Sequence, residues 1–285
     1  MAIKKITDEP ASARISENLR EEIKQNLKAS LLKYVGAFKY KSLQPLDLLI
    51  PKERKIRSLV GGLETSMGTT VWEPIAKTLA TMNGYEVVKE KILRPDPFPS
   101  KLASELATIA ALRENRSTWI TIDECVTRLR EVCRNINRDK LSYVSPAAGT
   151  GVDIWIKKGS KEYAFDTKTV QPNVGDIKKF NRQILEWYAY RLCKDPEVDI
   201  QCKISYPYNP HKDDFWSHTP HKQGILEPRV DALVENEFWD LLSGLKNTYQ
   251  LILEIFVELN NEGLGKELSV IIERLHTIKV FKIKT

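Results

Sequence analysis

Apolar residues recur along the chain with two periods, one typical of helices and one typical of strands. The helical period, with Lys and Glu on the opposite face, predicts a first helix at about residues 16–40. The same spacing predicts helices at about 71–83, 101–115, 122–136, 176–192, 235–243, 247–259 and 265–275. Alternating positions predict strands at 85–92, 151–157, 162–170 and 199–206. Asp123 is expected to open the helix at 122–136.

This order of elements predicts a mixed α/β domain with a small central sheet flanked by helices. We expect residues 1–285 to form a single domain. Its parts are a helical N-terminal part at about 1–50, a helical insertion at about 100–140, a hairpin and helix at about 150–195, and C-terminal helices at about 235–275. The C-terminal apolar residues are assigned to the core by default, with an interface as the alternative: Phe238, Trp239, Leu251, Ile255 and Phe256.

Charge and cysteine content narrow the classes of function. Lys and Arg number 44 against 38 Asp and Glu, a formal charge of +6, which favours polyanionic partners without requiring them. The four cysteines form no C-x2-C pair of a structural zinc site, so we expect reduced, mostly buried thiols. The N-terminal residues lack an apolar segment of signal-peptide length, and Glu254 and Glu258 interrupt the apolar run at 251–259. We therefore expect a cytoplasmic protein without membrane contact.

The most informative segment is a predicted hairpin around Gly159-Ser160, since a two-residue Gly-x loop favours a type II′ turn. If Lys158 faces Lys161, facing residue numbers have a constant sum, and Asp153 faces Asp166. Two carboxylates would then lie roughly 5 Å apart at Cβ across the sheet. Because side chains alternate along a strand, Lys168 lies on the same face as Asp166.

Facing like charges destabilise a sheet unless something neutralises them, and a divalent cation does so. Mg²⁺ fits, since it usually takes one or two carboxylates and keeps several waters. The cation would polarise a phosphate and lower the pKa of a bound water, while Lys168 orients that water or offsets developing charge. The alternative is a solvated hairpin face without chemistry. The opposite face is apolar and predicted to be buried, which leaves the acidic face to line a cleft: Val152, Ile154, Ile156, Tyr163, Phe165 and Thr167.

Asp153, twelve intervening residues and then Asp166-Thr-Lys168 resemble the PD-(D/E)xK nuclease superfamily, although Val152 replaces the proline before the first acid. The segment 165–173 and the basic-aromatic helix after it look like type II restriction endonucleases. Segments 169–173, 179–187, 206–210 and 238–240 are similar to a small group that cuts at GGNCC, and the resemblance covers most of the second half of the chain. It implies a restriction-endonuclease-like fold.

The resemblance also implies roles for single residues. Asp153, Asp166 and the backbone carbonyl of Thr167 would bind Mg²⁺, and Lys168 would be the catalytic lysine. Glu73 would complete the metal site through water; its alternative role is a capping box with Thr70 at the start of its own helix. Glu64 is a weaker candidate.

DNA contacts are predicted on the helix after the hairpin. Lys178 and Arg182 lie one turn apart, as do Lys179 and Gln183, so each pair can project towards phosphates; the alternative is a solvated face. The polar loop at 209–229 is the expected reader of base edges, with Asn209 and Lys212 as candidates. A zinc site at His211, His218 and His221 lacks a suitably spaced fourth ligand. The basic segment 52–57 contacts the DNA backbone or is an exposed linker.

Taken with the residues, the resemblance implies a type II restriction endonuclease that hydrolyses both strands of a short palindromic double-stranded DNA site with Mg²⁺. A two-fold symmetric site is matched most simply by a homodimer. The expected functional partner is a cognate DNA methyltransferase. Two alternatives stay open: a structure-selective repair or recombination nuclease of the same fold, and a DNA-binding protein that does not cleave.

Overall fold

The computed structural model describes residues 7–10, 15–40, 44–168, 172–218, 221 and 224–276. In chain order, its strands are β1 (Thr7–Pro10), β2 (Glu86–Val87), β3 (Arg94–Asp96), β4 (Ser142–Val144), β5 (Ile154–Lys158), β6 (Lys161–Thr167), β7 (Asp199–Tyr206), β8 (Ala232–Val234) and β9 (Leu245–Lys246). Its α-helices are α1 (Glu17–Ala37), α2 (Pro51–Met67), α3 (Glu73–Met82), α4 (Ser100–Glu114), α5 (Ile122–Arg134), α6 (Val174–Lys194), α7 (Asn236–Ser243), α8 (Thr248–Asn261) and α9 (Leu264–His276).

The described residues form two compact units, and the central sheet lies in the unit that contains Ala76–Gly244. The second unit contains the described residues of 5–75 and 245–285. That the whole chain acts as one nuclease domain stays a prediction.

The central sheet of the first unit has five strands in the order β2-β5-β6-β7-β8. β2 pairs with β5 and β5 with β6 in antiparallel fashion, whereas β6 with β7 and β7 with β8 are parallel. The mixed α/β fold with helices around a central sheet is therefore confirmed. β6 is buried along almost its whole length, because it is the middle strand and is covered on both faces.

One face of this sheet packs against helices. α4 and α5 pack on α6, and α6 lies on β7. Ala164 of β6, Cys202 of β7 and Trp187 of α6 are fully or almost fully buried in this layer. On the other face, the ring of Phe165 meets that of Phe238 at 5.3 Å between centroids. Removal of these apolar surfaces from water on both faces holds the hairpin in place.

Polar side chains set where the helices of this layer begin. α5 starts after Thr121, which forms a capping box with Glu124, so the predicted opening by Asp123 is wrong by two residues. α6 starts after Asn173, whose side chain accepts the amide hydrogen of Asp176 while the Asp176 carboxylate accepts that of Asn173. This box fixes the point at which the chain turns from the end of β6 into the helix over the sheet.

A correction concerns residues 51–82, which are helical without a break. One turn of π-helix, Gly68–Trp72, joins α2 to α3, where the sequence predicts a loop and a new helix. The hydroxyl of Thr70 donates to the carbonyl of Ser66 at 2.9 Å, as in a helix interior. Thr70 therefore caps no helix, and the predicted capping role of Glu73 is wrong.

In the second unit, α1 packs against α2, α8 and α9, and β1 pairs with β9. Leu251 and Ile255 of α8 are almost fully buried, as are Phe238 and Trp239 in the first unit. Phe256 packs on Trp72 at 6.1 Å between centroids. The assignment to the core is confirmed for Phe238, Trp239, Leu251 and Ile255, whereas Phe256 is only half-buried. Within the described residues, no helix combines the length and apolarity that crossing a bilayer requires.

Candidate active site

The hairpin of β5 and β6 has the predicted turn. Lys158 pairs with Lys161 across Gly159-Ser160, and the pairs continue to Ile154 with Phe165. The backbone φ is positive at Gly159 and not at Ser160, as a type II′ turn requires. The predicted register is therefore confirmed over all five pairs of the ladder.

Asp153 lies just beyond the end of this ladder. Its amide hydrogen bonds to the carbonyl of Phe165 at 2.9 Å, one residue earlier than a regular continuation would give, which is typical of a β-bulge. Its carboxylate turns along the partner strand, where Oδ2 accepts the amide hydrogen of Thr167 at 2.9 Å. The predicted direct pairing of Asp153 with Asp166 is thus wrong, but the bulge still brings the two carboxylates together.

Asp166 is the chemically most constrained residue of the hairpin. Its Oδ2 contacts the ammonium group of Lys168 and accepts a hydrogen bond from Gln183 Nε2 at 3.0 Å. Burial raises the pKa of Asp166 to about 7; Lys168 acts in the opposite direction and the neighbouring Asp153 adds to the increase. A bound cation would stabilise the ionised form of a buried carboxyl group that lies next to a second acid.

Lys168 follows β6 and stays on the face of Asp166, as predicted. Its amide hydrogen bonds to the carbonyl of Ser205 on β7 at 2.9 Å, which fixes the backbone. Its ammonium group lies 5.2 Å from the ring centroid of Phe180 on α6. The side chain is 25% exposed, so the site is open to solvent at Lys168 even though Asp166 is buried. α6 packs over this face, with Gln183 bonded to Asp166 and Phe180 close to Lys168. That the acidic face lines a cleft stays a prediction.

The predicted outward position of Gln183, from which it would contact DNA, is wrong. The sequence places it with Lys179 on the polar side of the helix, whereas the structure buries it against Asp166. Position 183 lies three residues after Phe180 and four before Trp187, and both of these are buried. This helical spacing places position 183 on the buried side of α6, although its side chain is polar. Gln183 supports the acid and does not project towards solvent.

The basic residues of α6 lie on its outer face. The guanidinium of Arg182 binds the Glu114 carboxylate through two hydrogen bonds of 2.7 and 3.2 Å, and Lys178 lies 4.0 Å from the same carboxylate. Lys179 is exposed and has no ion pair within the described part of the chain. Their contact with DNA stays a prediction, and of these residues Lys179 is the one whose charge is already free.

The loop after β7 is organised by its own polar groups. Asn209 donates to the carbonyl of Asp213 at 2.8 Å and accepts from the amide of His211, so its amide group faces the loop backbone. Lys212 is exposed. His218 bonds to Asp213, and the rings of His211 and His218 stack at 3.5 Å between centroids. His211 and His218 therefore stabilise the conformation of this loop.

The same loop is tied to the helical layer by a buried cation that the sequence analysis missed. Arg113 of α4 contacts the carboxylate of Asp231, and both side chains are fully buried. Its other hydrogens bond to the carbonyl of Ile120 at 3.0 Å, to that of Ile225 at 3.2 Å and to Asn181 Oδ1 at 2.8 Å. No local pattern reveals such a pair, because its partners are 118 residues apart.

Comparison with known proteins assigns the family. A family model described as "Type II restriction endonuclease, HinfI" matches residues 5–260. The chain belongs to the HinfI family of type II restriction endonucleases. The type II restriction enzyme MjaII of Methanocaldococcus jannaschii is 26% identical over 212 residues, which make up 68% of this chain and 52% of MjaII. The chain thus spans about half the length of this curated relative. No solved structure matches significantly.

In this member of the HinfI family, the carboxylate oxygens at the end of the hairpin suit a hard cation that takes only one or two ligands from the protein. Among the described residues, no group of three or more His, Cys, Asp and Glu side chains could hold a metal ion, so the zinc site gains no support. Asp153 and Asp166 each have Oδ2 engaged in a hydrogen bond, and the two carboxyl groups lie close enough to interact with each other. Two such carboxylate oxygens, completed by water, are what Mg²⁺ commonly takes from a protein. Glu73 and Glu64 lie in the second unit, so their roles as supporting acids stay predictions.

Proposed function

We propose that the chain is a Mg²⁺-dependent type II restriction endonuclease that hydrolyses double-stranded DNA at a short palindrome such as GGNCC. The observation that carries this proposal is the convergence of Asp153, Asp166 and Lys168 at one end of the β5–β6 hairpin, in a chain of the HinfI family. The enzyme would act in the cytoplasm, on DNA that a cognate methyltransferase has not methylated.

Asp153, Asp166 and the Thr167 carbonyl are the groups that would hold Mg²⁺. When bound, the ion polarises the phosphate and lowers the pKa of a coordinated water. The protein contributes orientation: the Thr167 amide holds Asp153, and Gln183 holds Asp166. Lys168 places a positive charge beside Asp166, where negative charge develops on the phosphate oxygens in the transition state.

DNA is proposed to lie along the outer face of α6 and the loop after β7. Lys179 contacts phosphate directly, whereas Lys178 and Arg182 exchange Glu114 for phosphate. The loop containing Asn209 and Lys212 reads base edges. A homodimer places one site on each strand of the palindrome.

The proposal is tested by digesting unmethylated plasmid of known sequence with and without Mg²⁺. We expect defined bands that require Mg²⁺ and disappear in Lys168→Ala, with DNA binding retained. The matched control is Lys157→Ala on the same hairpin, whose side chain is 41% exposed and paired with Glu86 at 3.0 Å. This control should cut like wild type, since an exposed ion pair contributes little.

Other outcomes identify the alternatives. Mg²⁺-dependent cutting without defined bands, or cutting only of branched or damaged DNA, would indicate a structure-selective nuclease. Binding without cleavage at any Mg²⁺ concentration would indicate a DNA-binding protein that has kept the fold. Mapping the ends of the fragments gives the recognition sequence and tests GGNCC.

A second experiment addresses Gln183. Gln183→Met keeps the volume but removes the hydrogen bond to Asp166, so we expect the Mg²⁺ concentration for half-maximal cleavage to rise by roughly 10- to 100-fold. Gln201→Met, at a half-buried position of β7, is the control and should leave the Mg²⁺ dependence unchanged. An unchanged Mg²⁺ dependence in Gln183→Met would show that the bond does not support the metal ligand.

A further inference from the structure

Tyr206, the last residue of β7, carries a polar group that the proposed mechanism does not use. Its side chain is 3% exposed, and its hydroxyl has no hydrogen-bond partner among the described residues. A buried hydroxyl without a partner is unfavourable, because it gives up its bonds to water and gains none in return. Such a group in a folded protein calls for an explanation, and here its position supplies one.

The sheet register places Tyr206 beside Lys168. Asp166 pairs with Ile204 and Thr167 with Ser205 in the parallel ladder, and Lys168 continues it through its amide bond to the carbonyl of Ser205. Paired residues of neighbouring strands share a face, and the strands lie about 5 Å apart. Tyr206, two residues after Ile204, is therefore on the face of Asp166 and level with Lys168.

Aromatic contacts hold the ring of Tyr206 in place. The ring of Tyr206 packs against Phe215 and His221, at 4.9 and 5.7 Å between centroids, on the side of the loop after β7. Asp166 and Asp176 are the acids whose charges act on the hydroxyl, and burial together with these charges keeps its pKa above the ordinary value. The hydroxyl is therefore a neutral donor near the carboxylate site, where a carboxylate or phosphate oxygen is the natural acceptor.

We propose that Tyr206 is a further catalytic residue, whose hydroxyl donates a hydrogen bond to a non-bridging oxygen of the phosphate received beside Lys168. This inference rests on the proposed nuclease function. No proton is transferred; the bond strengthens as negative charge accumulates on that oxygen in the transition state. The free protein retains an unsatisfied donor because the group that satisfies it is the substrate.

The test compares two Tyr→Phe variants of the full chain. Tyr206→Phe removes a hydroxyl without a partner, so we expect a Tm equal to or above that of wild type. Its single-turnover cleavage rate should fall by about 100-fold, the typical cost of losing one transition-state donor, while the Kd for DNA without metal stays within about twofold. Tyr188→Phe is the control, since its buried hydroxyl accepts the amide hydrogen of Cys202 at 2.9 Å. That variant should lower Tm and leave the rate unchanged.

A cleavage rate of Tyr206→Phe within about threefold of wild type would overturn the inference, because the loss of one such donor typically costs far more. A lower rate accompanied by a lower Tm would overturn it as well, since the hydroxyl would then be structural. Wild-type protein that does not cut DNA overturns the proposed function and this inference together. An active wild type with an equally active Tyr206→Phe overturns this inference alone.

Discussion

Asp166→Asn is expected to lower the rate of DNA cleavage by at least about 1,000-fold and to leave DNA binding measurable. The substitution keeps the shape and the acceptor oxygen but removes the negative charge that a cation requires. Single-turnover rates and binding in the absence of metal separate the two effects. Asp199→Asn, at the exposed start of β7, makes the same chemical change away from the site and should cut normally. Retained cleavage in Asp166→Asn would contradict the assignment of the site.

The same variant has a second expected effect, on stability. Burial raises the pKa of Asp166 from 3.8 to about 7, so ionisation of this carboxyl opposes folding. The stability it contributes is present below about pH 4 and is lost as the pH rises through about 7. Without metal, Asp166→Asn should abolish this loss, and its Tm should decline less than that of wild type between pH 5 and 8. An equal decline would mean that Asp166 titrates normally.

How much of this site the sequence predicts depends on the range of the interactions involved. The turn at Gly159-Ser160 fixes the register of the hairpin, because a two-residue loop leaves one way to pair the flanking strands. The bulge at Asp153 is not predictable in this way. It depends on the Asp153 carboxylate bonding to the Thr167 amide, a tertiary contact 14 residues away. Counting residues from the turn therefore predicts correctly that Asp153 and Asp166 lie close together. It does not predict that a bulge, and not a direct cross-strand pair, brings them there.

Polar residues that are buried produce the other errors. Gln183 occupies an inward position of α6, but a rule that assigns polar side chains to the surface places it outside. The sequence predicts a helix only from about residue 71, yet the chain is helical from 51 to 82 and continues through Gly61, Gly62 and Gly68 in spite of the low helix propensity of glycine. The overall fold class is predictable because it rests on many apolar positions, whereas these details rest on single contacts.

Arg113→Met is expected to destabilise the protein by about 3–5 kcal/mol, measured by urea unfolding, because it leaves the carboxylate of Asp231 buried without its cation. Asp231 would keep the amide hydrogen of Glu227 at 2.6 Å and the charge of Lys203, but it would lose its direct ion pair, and one of its buried oxygens already has no hydrogen-bond partner among the described residues. The effect should also loosen the loop after β7, because Arg113 binds the carbonyl of Ile225.

The control is an ion pair with the same chemistry and different burial. Arg134 forms two hydrogen bonds of 2.8 and 2.9 Å with Glu197, but the two side chains are 55% and 68% exposed. Arg134→Met should leave the stability almost unchanged, since water solvates the remaining carboxylate. The double variant Arg113→Met, Asp231→Leu should recover most of the lost stability, because it removes the stranded charge as well. Equal losses for the two Arg→Met variants, or no recovery in the double variant, would show that Arg113 acts through its shape and not through its charge.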